Sequence, residues 1–150
     1  MDFLLDQILF YTSEKHQDIY IHLNTKFDMK YQDLFMICAS LGFKHNKRAP
    51  RENQGREFRS NYLNTNQRAT AYSIILSDPE IGKNIEQFED PEFKRKARKH
   101  LEEYAEGGIE ILIDEVFGSR WDGNKLDPNY SEYEIDILSY IYSDVKAVPF

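Results

Sequence analysis

Apolar side chains recur every three or four residues along most of the chain, which is the spacing of amphipathic helices. The pattern runs from Phe3 to Tyr11, from Tyr31 to Leu41, from Phe58 to Leu76 and from Phe93 to Val116. Residues 18–23 fit either a helix or a short strand. Near the C-terminus one helical face is formed by Tyr133, Ile137, Tyr140 and Ile141. The pattern therefore predicts an all-α fold, built as a compact multi-helix domain.

Glycine, proline and aspartate mark the expected helix ends. Gly42 follows the second apolar run and is expected at the C′ position of that helix. Asp78 and Asp90 each precede a proline, the arrangement of an N-cap followed by a first-turn proline. These signals predict a short helix at 79–88 and a long central helix at 92–117.

Two adjacent glycines, Gly107 and Gly108, lie in the middle of this long predicted helix. Each glycine in a helix interior costs about 1 kcal/mol relative to alanine. Such residues are tolerated mainly where a side chain would clash with a neighbouring backbone. We therefore predict that both glycines lie at a tight crossing with another helix or another subunit.

Length and composition favour one soluble domain. The chain has 150 residues, of which 41% are apolar, and this is enough to build a packed core. Its apolar stretches are far shorter than the roughly 20 residues that span a bilayer, and its N-terminus lacks the basic start of a secretory signal. Cys38 is the only cysteine, which excludes an internal disulfide. We expect a single cytoplasmic helical domain over residues 1–150, without a membrane segment.

The charge pattern changes sign abruptly after Gly42. Segment 44–59 carries six Lys or Arg residues and two glutamates, within a chain whose net charge is −7. Pro50 and Gly55 interrupt this segment, so it is predicted to be a flexible basic loop between helices. Such a loop is a candidate contact for DNA or for an acidic partner surface. The side chains predicted to make this contact are Lys44, Asn46, Lys47, Arg48, Arg51, Arg56 and Arg59.

Two further interpretations of the basic residues remain open. The loop at 44–59 could be solvated, or it could pair with the chain's own acidic helices. A second basic run, at 94–99, falls in the long predicted helix and is typical of a solvated helix face. If both segments lie on one side of the fold, they would form one patch that could make several phosphate contacts.

No motif predicts catalysis, a cofactor or a metal. The four histidines lack the spacing of metal ligands. Glu92 and Lys94 match the Glu-x-Lys pair of metal-dependent nucleases, but that pair needs a strand, whereas these residues begin a predicted helix. The run from Asp122 to Asp127 lacks the alternating ligands of a calcium loop. We predict that the protein is not an enzyme and has no catalytic, cofactor-binding or metal-binding residues.

Two segments resemble a known family. DLFMICASLGFKHNKRAP, at 33–50, resembles a segment of small proteins encoded beside bacterial DNA phosphorothioation (Dnd) modules, the Dnd system-associated proteins. EYAEGGIEIL, at 103–112, is similar to a second segment of that group. The resemblance implies a cytosolic accessory protein of a DNA-modification and anti-phage defence locus, and it carries over no catalytic residue. The residues that match the recurrent motif are Gly42, Phe43, Lys44, Asn46, Lys47 and Arg48.

Two functional hypotheses follow. In the first, the protein is a non-enzymatic accessory or adaptor subunit of this antiviral defence complex. It would contact DNA or a larger ATPase or nuclease subunit through the loop at 44–59, with its oligomeric state left open. In the second, it is an acidic inhibitor or nucleic-acid mimic that binds a DNA-processing enzyme through the acidic face at 102–115 and the acidic residues near the C-terminus.

Overall fold

The structure, a computed structural model, describes residues 3–83 and 89–146. It is mostly helical, as predicted, but it also contains a two-stranded sheet, so the all-α class is corrected. The strands are β1 (Leu9–Ser13) and β2 (Gln54–Arg59). The helices of the described residues are α1 (Gln17–Phe27), α2 (Tyr31–Lys44), α3 (Thr65–Leu76), α4 (Pro79–Lys83), α5 (Pro91–Leu112) and α6 (Tyr133–Lys146).

The sheet corrects two of the predicted elements. The helix expected from Phe3 to Tyr11 is instead a 3-10 turn followed by β1, and the last third of the predicted loop at 44–59 is β2. The strands pair in antiparallel fashion with Phe10 opposite Phe58. These two rings stack at 5.6 Å, and Phe58 lies 4.9 Å from Phe35 of α2. Burial of this aromatic cluster against α2 favours the sheet over local helical spacing.

The central packing of the fold joins α2 and α5, which contact each other more extensively than any other pair of elements. A Cβ atom built on Gly108 would overlap the Cys38 carbonyl of α2, and one built on Gly42 would overlap the Tyr104 carbonyl of α5. The structure thus places Gly108 where the two helix backbones meet. Gly42 is not a C′ residue, because α2 continues through it to Lys44. Because Gly42 has no side chain, it allows α2 and α5 to approach each other closely at the same crossing.

The ends of the other helices mostly follow the expected capping chemistry. Asp78 and Asp90 accept hydrogen bonds from the first-turn backbone of α4 and α5, as predicted. Asn64 caps α3 in a reciprocal pair with Gln67. The part of the predicted helix at 79–88 that follows Lys83 lies outside the described residues, and residues 18–23 prove to be helical.

Beyond Leu112 the long helix continues as a π-helical turn over Ile113–Phe117, so its predicted extent is confirmed. The last helix, α6, packs through Tyr133 and Ile137, which are almost fully buried. Tyr133 contacts the ring of Phe117 at 5.7 Å. Among the described residues, every helix is too short or too polar to cross a membrane.

Candidate nucleic-acid interface

The first part of the basic segment, residues 44–51, is anchored to α5 and α6 by ion pairs. Lys44 Nζ and His45 Nε2 lie 2.8 and 2.7 Å from the two carboxylate oxygens of Asp144 in α6. Burial raises the pKa of Asp144, but the hydrogen bonds from Lys44 and His45 outweigh it and hold that pKa below its ordinary value. Lys47 lies 3.5 Å from Glu110 of α5. The charges that suggested an external contact are thus partly matched within the chain.

Arg48 lies along α5 in the same anchored segment. Its guanidinium group donates to the Glu103 carboxylate and lies 5.2 Å from the centre of the Tyr104 ring. The backbone of Ala49 donates to the Glu103 carbonyl at 3.1 Å. Gly107 is the reason that this chain can approach α5 so closely, because a Cβ atom there would overlap the Lys47 carbonyl.

Arg51 attaches the end of the anchored segment to α5 through the buried carboxylate of Glu102. Its Nε donates to Oε1 of Glu102 at 3.0 Å, while the Tyr11 backbone N–H donates to Oε2 at 2.7 Å. Glu102 is only 4% exposed. Burial raises its pKa, and the hydrogen bonds from Tyr11 and Arg51 only partly offset that effect. This carboxylate joins α5, β1 and the anchored segment at one point.

The expectation of a flexible loop at 44–59 is therefore corrected. Residues 44–51 pair with the chain's own acidic helices, an arrangement that the charge pattern alone left open, and residues 54–59 form β2. Asn46, at the end of α2, has a φ of 52°. Arg56 and Arg59 lie on β2 with exposed side chains, and Arg59 approaches Gln7 at 3.4 Å. The anchored segment is held in place by the fold itself.

The second basic run lies beside the anchored segment, and together they line one surface groove. The groove consists of two adjoining cavities of about 270 and 390 Å³, which share Arg95, Lys99 and Glu103. The cationic side chains that line it are Arg48, Arg51, Arg95, Lys96, Arg98 and Lys99. Its carboxylates are Asp78, Glu80, Glu102 and Glu103. Cations outnumber carboxylates, so we name this surface the basic groove.

The cations of the basic groove differ in how they are neutralised. Arg95 forms a two-point pair with Glu92, at 2.7 and 3.1 Å. Within the described residues, Lys96, Arg98 and Lys99 have no carboxylate within 4.0 Å. These three side chains are therefore the cations best able to accept an external anion. They come from the run whose sequence pattern was typical of a solvated face.

His100 forms part of the wall of the basic groove. Burial, followed by the nearby positive charge of Arg48, holds its pKa below the ordinary value, and Asp78 at 3.9 Å opposes this only in part. Its Nε2 atom is buried without a hydrogen-bond partner in the described part of the chain. His100 is accordingly a neutral structural side chain of the groove at neutral pH, and its proton adds nothing to the positive charge.

A buried polar cluster lies on another side of α5. Nδ1 of His16 is 3.0 Å from Oε2 of Glu106 and 3.0 Å from Oγ of Ser13. His16 and Glu106 also line a polar cavity of about 130 Å³. A serine–histidine–carboxylate relay uses both ring nitrogens, one for each neighbour, whereas here both neighbours share Nδ1. The cluster therefore lacks the geometry of a nucleophilic site.

The acidic face that the second hypothesis required is largely engaged inside the fold. Glu102 and Glu106 are buried, and they contact Arg51 and His16, respectively. Glu103 and Glu110 pair with the anchored segment. A mimic of nucleic acid would need these carboxylates on an open surface. Sequence reasoning missed their burial because glutamates in a helix are usually solvated.

Comparison with known proteins places the chain in a family. Nothing among curated proteins or solved structures matches it significantly. A family model described as DNA sulphur modification system-associated protein 4 matches residues 12–129. The match includes both of the segments that carry the resemblance, which is thereby confirmed, and it contains the anchored segment and the whole basic groove. The chain therefore belongs to the family of DNA sulphur modification system-associated protein 4.

Proposed function

We propose that the protein is a non-enzymatic accessory subunit of a DNA sulphur modification system, and that its basic groove contacts the phosphate backbone of DNA. The observation that carries this proposal is the convergence of two basic segments, at 48–51 and 95–99, in one groove. Family membership supports the association with such a system. Lys96, Arg98 and Lys99, which have no carboxylate within 4.0 Å in the described part of the chain, supply the positive charge for this contact.

The chemistry of the groove favours duplex backbone over single strands. Single-strand binding relies on exposed aromatic rings on which bases stack. The described residues that line the basic groove include no Phe, Tyr or Trp. Lys and Arg side chains on an exposed helix face are suited to phosphate oxygens, which position a protein without reading sequence. We expect contact with DNA of any sequence.

The net charge of −7 sets the expected strength of that contact. An acidic remainder repels the duplex, so the isolated chain should bind with a Kd of about 10⁻⁴–10⁻⁶ M, which is typical of nonspecific binding. Such weak binding fits an accessory role beside a larger subunit, which we propose to be an ATPase or a nuclease.

A second candidate function uses the same groove to bind an acidic surface of that larger subunit. The observation that favours it is the presence in the groove of Lys96, Arg98 and Lys99, because their ammonium and guanidinium groups bind carboxylates as well as phosphates. In that case the removal of groove cations should slow association more than it weakens the final complex.

The test compares two triple variants of equal charge. Lys96→Ala/Arg98→Ala/Lys99→Ala removes the unmatched groove cations and leaves the anchored segment intact. The matched control, Lys26→Ala/Lys30→Ala/Lys125→Ala, removes three exposed lysines elsewhere. Variants of Lys47, Arg48 and Arg51 are unsuitable, because these side chains hold the fold together.

Binding is measured by fluorescence anisotropy with a short labelled DNA duplex at several salt concentrations. The groove variant should weaken binding and reduce the salt slope by about 0.9 for each phosphate that it no longer neutralises, while the control matches wild type. Equal slopes for all three proteins would overturn DNA contact through the groove. A groove variant that binds DNA normally but associates slowly with the co-expressed ATPase or nuclease subunit would establish the second candidate instead.

A further inference from the structure

The outward face of α6 carries a stripe of exposed apolar side chains. The members of this stripe are Ile135, Leu138, Tyr142 and Val145, and each is more than half exposed. Their spacing of three, four and three residues places them on one side of the helix, as the a and d positions of a heptad would be. A contiguous row of large apolar side chains on a protein surface usually marks an interaction site.

An apolar groove adjoins this stripe. Its volume is about 390 Å³, and it lies between α2, α3 and α6. Met36, Ile37 and Leu41 line it from α2, and Ile141 and Val145 line it from α6. Val145 belongs to both the stripe and the groove, so the two form one continuous apolar surface. This apolar surface shares only Lys44 with the anchored segment and nothing with the basic groove.

The charges around the apolar surface indicate what kind of partner it fits. Five carboxylates and no Lys or Arg lie between Lys125 and Lys146, but Asp144 pairs with Lys44 and His45, and Tyr130 donates to Asp136. The negative charge available to a partner is therefore concentrated near the N-terminal end of α6. Glu132, the residue before α6, and Glu134, at a g position in its first turn, are both exposed and flank the N-terminal end of the stripe. Residues at these positions select the charge of a helical partner. A partner helix should therefore carry Lys or Arg beside its apolar face.

We propose that the apolar surface of α6 binds an amphipathic helix from a partner protein, with basic residues flanking the apolar face of that helix. A second copy of this chain fits less well. In a parallel pair, the acidic N-terminal ends of the two helices, each with Glu132 and Glu134, would lie side by side and repel each other. In a second copy of this chain, α6 is packed against its own domain, so only its stripe could contact this surface. A helix from a partner protein can cover the stripe and also enter the groove. The proposal does not depend on DNA binding.

The test uses two synthetic peptides of about three heptads. Both have leucine at a and d, and one has lysine and the other glutamate at e and g. Each labelled peptide is titrated with the full-length protein by fluorescence anisotropy. Wild type should bind the lysine peptide at least about tenfold more tightly than the glutamate peptide, a difference of about 1.4 kcal/mol.

Three variants separate this docking from nonspecific attraction to an acidic protein. Ile135→Ser/Leu138→Ser should weaken binding of the lysine peptide by about tenfold or more. Leu5→Ser/Tyr62→Ser, which removes two exposed apolar side chains elsewhere, should leave the affinity for both peptides unchanged. Glu132→Lys/Glu134→Lys should reverse the preference between the two peptides.

Two outcomes would overturn the proposal. The first is equal binding of both peptides by wild type, or binding that the Ile135→Ser/Leu138→Ser variant leaves unchanged. The second is a concentration-dependent dimer in sedimentation that this same variant abolishes, because the occupant would then be a second copy. Neither outcome bears on DNA contact through the basic groove, which the triple variants test separately.

Discussion

Replacing Gly108 with alanine tests how closely α2 and α5 approach each other. Gly108 faces the Cys38 carbonyl and Gly42 faces the Tyr104 carbonyl, so the two glycines occupy reciprocal positions in the crossing. The contact points lie four residues apart on each helix, about 6 Å along the axis. Both carbonyls belong to helix backbone and cannot rotate away as a side chain would. A methyl group at either position therefore has to move the helices apart.

Two opposing effects set the magnitude. Alanine gains about 1 kcal/mol of helix propensity over glycine, whereas overpacking a buried contact costs about 1–3 kcal/mol. Because a backbone atom is in the way, the upper end of that range applies, and Gly108→Ala should lose a net ~2 kcal/mol of unfolding free energy. For a chain of this length the melting temperature should fall by about 4–8 °C. The Gly42→Ala/Gly108→Ala variant should lose less than the sum of the single variants, because the first methyl already separates the helices.

Urea denaturation, followed by circular dichroism, yields the unfolding free energies of wild type, both single variants and the double variant. Ala69→Gly, on the exposed side of α3, is the control for propensity and should lose about 1 kcal/mol. A Gly108→Ala protein as stable as wild type would refute the close approach. Strict additivity in the double variant would show that the two contacts do not share one separation of the helices.

Two further predictions concern single residues. Asn46 has a φ of 52°, so Asn46→Gly should keep wild-type stability in urea while Asn46→Ala loses about 1 kcal/mol, and equal losses would contradict the left-handed conformation. Burial lowers the pKa of His100, so the unfolded chain binds this proton at higher pH than the folded chain does. Wild type should therefore lose unfolding free energy relative to His100→Gln as the pH falls below about 6.5, and a pH-independent difference would contradict neutral burial.

The long helices could be predicted from the sequence, whereas the sheet could not. In α2 and α5 the apolar face is wide and continuous, so local spacing and tertiary packing lead to the same structure. From Phe3 to Tyr11 the spacing is also helical, but Phe10 reaches its buried position only by pairing with Phe58. That partner lies 48 positions further along the chain. A local pattern contains no information about such a contact.

Gly42 and the glutamates of α5 show a second limit of prediction from sequence. A glycine that ends a helix and a glycine that permits a helix crossing can follow the same apolar run, and only the neighbouring helix distinguishes them. Glu102 and Glu106 likewise resemble the solvated acids around them, although each is buried against a cation or a histidine. The nearest available signal was that the basic and acidic residues of 44–51 and 102–110 are similar in number.

The cations that dominate the candidate site differ from those that the charge pattern singled out. The segment at 44–59 drew attention because its charge contrasts with the rest of the chain, yet its first half is neutralised by α5 and α6. Among the described residues, the groove cations without a carboxylate within 4.0 Å are Lys96, Arg98 and Lys99, and they lie in a basic run whose sequence pattern was typical of a solvated helix face. A count of charged residues identifies a segment with excess positive charge, but only the three-dimensional arrangement shows which of its side chains already form ion pairs.

The pairing of β1 with β2 also constrains the order in which the chain folds. The strands enclose α1 and α2 within a loop of forty residues, 14–53, and closing such a loop costs on the order of 3 kcal/mol of chain entropy. Contacts of this sequence separation form slowly unless intervening structure has already shortened the distance between their ends. We therefore expect α1 and α2 to collapse before the sheet closes over them. On the ribosome, β1 emerges before β2 and remains without its partner until residue 59 has left the exit tunnel.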